Sequence, residues 1–337
     1  MNNSVTPGFE ERFYLEANPD VAGAVKAGQF ASGHEHFVAF GFKEDRFIAP
    51  GLRPAPPSVA LLMTDPLGYH RRSRMLAGVD LSLSSGLEIG ALDRPAVTRK
   101  EGNIFYVDRA KTSALKREYA KVTTISTANI VDVDAVWGEM TLGQCVGRRK
   151  FDYVVASHVV EHVPDLVSWL KEISAVLRGG GTLRLAAPDR RYTFDFLAHE
   201  TDLAQVLDAY LRKSRMPTSR QVLEFCYWAR IVDENEAWRG ALKPESLQRK
   251  FTVEYALKLA RTTLKTGVYQ DAHCWFFTIH SFARLFLELA EVGLLNFKCD
   301  ALIPPKTNEI EFYVHMSVAK SRAEIIDSWK KACKAIA

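Results

Sequence analysis

The chain has 337 residues, enough for one large domain or two modest ones, and is 47% hydrophobic and 25% charged. That balance supports a packed core and excludes global disorder. A formal charge of +4 without a long basic block argues against a nucleic-acid partner.

Five cysteines (Cys145, Cys226, Cys274, Cys299 and Cys333) lie scattered without CxxC spacing, the pattern of free thiols in a reducing compartment. The first residues, MNNSVTPGFEERFYLEANPD, lack the basic and apolar regions of a signal peptide. No apolar run reaches the roughly 18 residues that span a bilayer. A cytoplasmic protein without a transmembrane segment is expected, with peripheral membrane contact left open.

In chain order, residues 1–48 are expected to form a helical segment. Asn18-Pro19-Asp20 predicts a helix start, with Asn as cap and Pro in the first turn, and the helix stops near Gly28. Ser32 and Glu35 have capping-box spacing and open a second helix over HEHFVAFGF. Two such helices cannot bury both apolar faces alone and must pack on something. The stretch YLEANPDVAGAVKAGQFASGHEHFVAFGFKEDR resembles a short helical repeat of bacterial proteins, some linked to the cell surface. Residues 49–59, APGLRPAPPSV, hold four prolines and predict a stiff linker.

From residue 60 apolar strands alternate with helices. GLEIGA (86–91), NIFYVD (103–108), FDYVVASH (151–158) and GTLRLAAP (181–188) are predicted strands. DLVSWLKEISAVLRGGG is helical, with one apolar stripe through Leu166, Trp169, Leu170, Ile173, Val176 and Leu177, and Gly179-Gly180-Gly181 as its stop. Such alternation implies an α/β fold with a mostly parallel, doubly wound sheet. Residues 196–272 read as successive helices, a helical insertion or lid. NFKCDALIP and EIEFYVHMSVAK then predict an antiparallel hairpin, and SRAEIIDSWKKACKAIA a terminal helix. The core is therefore expected from 60–195 and 273–337.

LEIGALDRP ends a strand with an acidic residue and one glycine, Gly90, where a ligand can approach the backbone. Asp108 ends the next strand, where a ribose diol is read in doubly wound folds. Only Gly90 of a phosphate-binding G-x-G-x-x-G is present, so Glu88, Gly90 and Asp108 describe a nucleoside site without a phosphate cradle.

Taken in order, LEIGALDRP, YVD, FDYVVASHVVEHVPD and LRGGGTLRLAAPDRRY resemble the motifs of class I S-adenosylmethionine-dependent methyltransferases, in the bacterial type 11 group. The resemblance covers about 60–195 and 270–320. It implies a seven-stranded Rossmann-like sheet with the last strand antiparallel, S-adenosylmethionine as methyl donor and S-adenosylhomocysteine as product. The donor would be held by Glu88, Gly90, Ala91, Asp108, Arg109, Asp132, Ser157 and His158. The glycine-poor loop Gly90-Ala91-Leu92-Asp93 departs from the family pattern.

SHVVEHVPD (157–165) supports three readings. His158, Glu161 and His162 have the spacing of an inverted zinc hydrolase, but that needs one continuous helix, and Pro164 follows at once. As a methyltransferase loop, the stretch flanks the donor and faces the acceptor. A third reading is a divalent cation held by Glu161 and His162, since some small-RNA and ubiquinone-pathway O-methyltransferases hold one at Glu-x-x-Glu-His, where this chain has His158 in place of the first Glu. His158, His162 and His273 are the candidate catalytic residues, because a hydroxyl acceptor benefits from a base. Asp189, Arg190, Arg191 and Tyr192 in PDRRYTFD, and Trp275 in DAHCWFFT, are candidate substrate-binding residues. Each also has a bland reading, as a solvated loop or a core side chain.

The expected activity is O-methylation of a bacterial glycan or glycan precursor. A small metabolite or lipid-linked acceptor, and a non-catalytic scaffold on the same fold, are the alternatives. A homodimer is compatible with the sequence.

Overall fold

The computed structural model describes residues 11–41, 46, 66–138 and 140–336. The proline-rich linker expected at 49–59 lies outside the described residues. The chain divides into two compact units, Met1–Ser84 with Ala96–Asn103, and Ser85–Pro95 with Ile104–Ala337.

In the first unit, helices Glu11–Ala17, Pro19–Lys26 and Gly33–His36 precede a π-helical turn, Phe37–Gly41. The two expected helices do find a partner to pack on: Tyr14 of the preceding helix is buried with Val21 and Phe37. Asn18 does not cap as expected, since its side-chain amide donates to the Tyr14 carbonyl at 2.8 Å instead. Ser32 does cap, its Oγ accepting from the Glu35 amide at 3.0 Å. Glu35 turns to the Ala31 amide, and Glu11 takes the free amides of Gly33 and His34. The second unit's sheet is preceded by one more helix of the first, Pro66–Met75.

The second unit is built on a seven-stranded sheet. Its strands are β1 (Ser85–Ile89), β2 (Asn103–Asp108), β3 (Ala135–Val136), β4 (Phe151–Ser157), β5 (Leu177–Pro188), β6 (Phe297–Ile303) and β7 (Glu311–Val318). The order is β3-β2-β1-β4-β5-β7-β6, with β7 antiparallel to both β5 and β6. This is the expected doubly wound, Rossmann-like arrangement. Helix Leu166–Val176 buries the stripe Leu166, Trp169, Leu170, Ile173 and Val176, and Asp165 caps it by accepting from the Ser168 amide at 2.9 Å.

That helix ends three residues before the glycine triad. Leu177 already pairs with Phe151, and the next partners are Tyr153 and Thr182, so Gly179–Gly181 form an irregularity inside β5. Gly180 has φ +77, which suits the glycine-tolerant left-handed region.

Residues 196–272 contain helices Leu203–Arg212, Ser219–Trp228, Glu234–Trp238 and Val253–Thr266. Capping boxes at Asp202 with Gln205 and Thr218 with Gln221 start the first two. The chain then runs through 272–277 without regular secondary structure, yet buried throughout, into helix Ile279–Glu291. Phe282 and Phe286 of that helix stack at 4.0 Å beside Trp329 of the last helix, Arg322–Ile336. No helix among the described residues is long and apolar enough to cross a membrane.

Trp329 is fully buried and its Nε1 donates to the Phe297 carbonyl at 3.0 Å, tying the last helix to β6. Trp329→Ala is expected to cost about 3–5 kcal/mol through the cavity it leaves. A lowered urea midpoint with unchanged slope is the check, and a midpoint shift under about 1 kcal/mol would contradict this packing.

Candidate active site

Strand order reverses between β1 and β4, and ligands of open α/β sheets bind in the crevice at the carboxyl ends beside such a point. β1 and β4 run parallel with Ile89 opposite Ala156. The chain leaves β1 through Gly90, at φ +72, whose amide donates to the Val107 carbonyl at 2.9 Å. A Cβ at Gly90 would meet Val159 Cγ2 at 2.8 Å, so both backbone angle and space demand glycine.

A cavity of about 400 Å³ opens here, lined among others by Gly90, Asp108, Arg109, Trp137, His158, His162, Tyr269 and Asp271. Asp108, at the end of β2, is nearly buried. Burial raises its carboxyl to about 6, against the hydrogen bond that Oδ1 accepts from the Arg109 amide at 2.7 Å. The Arg109 guanidinium pairs with Glu118 and lies 5.1 Å from the Tyr269 ring centre.

β4 ends at Ser157, and His158 takes φ +52, a left-handed backbone unusual for a residue with a Cβ. Val160–His162 form one 3-10 turn, closed by Val163 in extended backbone before Pro164. His158, Glu161 and His162 therefore do not share the continuous helix that a zinc-hydrolase reading requires.

Four carboxylates meet three imidazoles around this turn. His158 Nε2 lies 2.5 Å from Glu311 Oε2, and its Nδ1 3.4 Å from Glu161 Oε1. Tyr313 holds Glu311 from the other side, donating to its Oε1 at 2.6 Å. Burial works against a charged His158, but Glu161 and Glu311 outweigh it and raise its pKa to about 9. Burial likewise works against the Glu161 carboxylate, which has 0% exposure, yet the His158, His162 and His273 imidazoles hold its pKa below the usual range. His162 Nδ1 lies 2.9 Å from Asp271 Oδ1, and His273 Nδ1 lies 2.6 Å from Asp195 Oδ2. Against burial, His162, Arg109 and Tyr269 hold the Asp271 carboxyl well below the usual range.

His273 reaches this turn because its segment is bonded to it. The Cys274 and Trp275 amides donate to the Glu161 carbonyl at 2.6 and 3.2 Å, and Trp275 Nε1 donates to the Val163 carbonyl at 2.5 Å. The His162 and His273 rings meet edge to face at 4.6 Å. A second cavity, of about 410 Å³, lies on this side, with His158, Glu161, His162, Tyr192, Phe194, Arg230, Glu234, Lys250 and His273 in its walls. His158 and His162 line both cavities.

The structure brings Gly90, Asp108, Arg109, His158 and His162 to the first cavity, and His158, His162, His273 and Tyr192 to the second. Among the described residues, the walls do not include Glu88, Ala91, Asp132, Ser157, Asp189, Arg190, Arg191 or Trp275. Glu88 is buried within β1, and Asp132 is exposed. Asp189 and Arg191 satisfy each other through a two-pronged ion pair of 2.7 and 2.8 Å, and Arg190 donates to the Phe196 carbonyl at 2.6 Å. Trp275 is a core side chain at 3% exposure.

Sequence reasoning did not single out Asp195, Asp271 or Glu311. The first two stand at the ends of the quoted stretches PDRRYTFD and DAHCWFFT, while nothing local marks Glu311. Arg230, Lys250 and Tyr269, all in the insertion, carry no motif either.

A family model described as a methyltransferase domain matches residues 107–290, more than half of the chain. The chain belongs to this family and is a class I S-adenosylmethionine-dependent methyltransferase. No curated protein matches it. Among solved structures it is similar to an S-adenosylmethionine-dependent methyltransferase from Clostridium acetobutylicum, at 9% identity over 71% of this chain and 86% of that one, TM-score 0.36. It is also similar to the N-methyltransferase NodS of Bradyrhizobium japonicum, at 12% identity over 76% and 98%, TM-score 0.32. The CcbJ methyltransferase of Streptomyces caelestis matches at 9% identity over 76% and 98%, TM-score 0.39.

The raised carboxyl of Asp108 has a stability signature. Its pKa is 3.8 in a free chain and about 6 in the fold, so the folded state binds more protons in between. Its contribution to stability is greatest below the lower value and declines as pH rises through the upper one. Asp108→Asn, without ligand, is therefore expected to be more stable than the parent near pH 7, by up to about 3 kcal/mol, with the gap closing below about pH 4. Urea titrations at both pH values check this, and a variant less stable near pH 7 would contradict it.

Proposed function

We propose that the protein transfers a methyl group to a hydroxyl of a glycan or glycan precursor, with the donor in the first cavity and the acceptor in the second. The observation that carries this reading is that the two cavities meet at His158 and His162. The first cavity suits a nucleoside: its volume is in the range of small-molecule sites, Gly90 leaves the backbone open to close approach, and Asp108 is a nearly buried carboxylate that hydroxyl donors would satisfy. When bound there, S-adenosylmethionine supplies a methyl group already activated by its sulfonium.

In this reading Asp108 accepts the ribose hydroxyls, and Gly90 and Arg109 bound the adenosine end. Trp137, Met216 and Tyr269 exclude water from the apolar walls. The acceptor hydroxyl enters beside Glu161, His162 and His273, and this cluster manages its proton. Asp195 fixes the His273 ring through Nδ1, which leaves Nε2 for the acceptor side. A sugar ring is supported by the aromatic walls Tyr192 and Phe194 among polar groups, with Tyr192 stacked on Trp238 at 3.9 Å. Arg230 and Lys250 stand in the same walls as Glu161 and Glu234, so polar groups of either sign on the acceptor can be met there.

Calorimetry with S-adenosylhomocysteine is expected to give one site per chain, weakened about 10- to 100-fold by Asp108→Ala. Affinity should also decline as pH falls through about 6, the value to which burial raises Asp108, and this decline should vanish in Asp108→Asn. No binding to the folded protein would defeat the donor assignment. The acceptor assignment is tested separately, by transfer of labelled methyl to a panel of acidic and neutral glycans. Transfer confined to amines or carbons would defeat it.

A further inference from the structure

Glu161 has a property the methyl transfer does not by itself explain. It is fully buried, and neither carboxylate oxygen has a hydrogen-bond partner among the described residues. The nearest positive groups are imidazole nitrogens, His158 Nδ1 at 3.4 Å and His162 Nε2 at 4.0 Å. Leaving a buried carboxylate without hydrogen bonds is costly, and buried charges are normally paired or bound to metal.

Glu161, His162 and His273 each offer one ligand atom, and these atoms all lie within 4.8 Å of one another. On both imidazoles Nδ1 faces a carboxylate: His273 Nδ1 is hydrogen-bonded to Asp195 at 2.6 Å, and His162 Nδ1 lies 2.9 Å from Asp271. A metal-ligating histidine is typically held this way, its second nitrogen oriented by an outer carboxylate. The ligands are also fixed by their backbones, since the amides after His273 donate to the carbonyl of Glu161 itself. Formal charge points the same way. Glu161, Asp195, Asp271 and Glu311 outnumber His158, His162 and His273, so the cluster stays negative even with every imidazole protonated.

We propose that Glu161, His162 and His273 bind one divalent first-row transition cation, of the zinc, cobalt or manganese kind, on the acceptor side of the site. One carboxylate with two neutral imidazoles is a borderline donor set, which suits these ions better than magnesium or calcium. Three protein ligands leave coordination positions open towards the second cavity. This rests on the reading that an acceptor hydroxyl enters that cavity, and it deepens that reading by assigning how the hydroxyl is activated. A hydroxyl on the cation loses its proton to cavity water more readily. The oxygen then forms the O–CH3 bond as the CH3–S bond breaks, and the sulfur keeps the electron pair.

The test uses the full chain, stripped with a chelator and confirmed as folded by circular dichroism. Cobalt(II) is titrated by calorimetry and visible absorption, with S-adenosylhomocysteine binding measured in parallel. One equivalent of cobalt is expected, with Glu161→Gln and His273→Ala each weakening it about 100-fold or more and Asp195→Asn about 10- to 100-fold. Homocysteine-product affinity should change less than about threefold in Asp195→Asn, which marks the loss as local. Absent stoichiometric cobalt, binding of magnesium alone, or cobalt retained by both Glu161→Gln and His273→Ala overturns the proposal. Loss of product binding with cobalt binding intact would instead fault the donor assignment.

Discussion

One backbone carbonyl ties the returning segment 272–277 to the turn after β4. The carbonyl of Glu161 accepts from two successive amides, Cys274 and Trp275, and the Trp275 ring donates two residues further on, to Val163. Segment 272–277 belongs to no helix or strand, so its buried amides need partners outside regular structure. The turn after β4 supplies them for Cys274 and Trp275, and Thr201 Oγ1 accepts from the Phe276 amide at 2.9 Å. Each such bond contributes about 1 kcal/mol, and burial of the Trp275 ring adds about 1.5–3. The helical insertion is thereby returned to the sheet at one fixed place, and His273 arrives beside Glu161 and His162.

The ion pairs around that turn join distant parts of the chain: His158 with Glu311, His162 with Asp271, and His273 with Asp195. Buried pairs of this kind are weak contributors to stability, because removing both charges from water costs about as much as their attraction returns. Their effect here is on protonation and placement. Glu161 and Glu311 keep His158 cationic at neutral pH, so that it is poorly suited to take a proton. Against burial, Asp271 raises the pKa of His162 in the same direction, while Asp195 lies 2.6 Å from Nδ1 of His273.

The first cavity was legible in the sequence through Gly90 and Asp108, and the second only in part. Strand ends carry their information locally: the apolar run before Gly90 and the acidic residue closing NIFYVD place two positions on one cavity without knowledge of the rest of the fold. In the glycine-poor loop, Val159 leaves no room for a Cβ at Gly90, while Leu92 takes φ +46 without being glycine. Local signals failed where tertiary partners decided the outcome. Asn18 gave up its cap for the Tyr14 carbonyl. The glycine triad, a plausible helix stop, became an irregularity inside β5 once Leu177 paired with Phe151. Arg191, a plausible anion receptor, is satisfied by Asp189 two residues away. The partners of the three histidines lie 78 to 153 positions off, in Asp195 and Glu311, or at 109 in Asp271, and no spacing rule reaches that far.

The insertion is more than a cover for the acceptor. Arg215, Met216, Tyr269 and Asp271 line the first cavity, while Arg230, Glu234 and Lys250 line the second, so residues 196–272 contribute walls to both. Asp271 and His273 stand two residues apart and face different cavities, one oriented on His162 and the other on Asp195. This short segment therefore contributes to the walls of both cavities. The stretch from Asp271 to Trp275 is tied by side chains and backbone to the turn after β4, through Asp271 to His162, the Cys274 and Trp275 amides to Glu161, and the Trp275 ring to Val163.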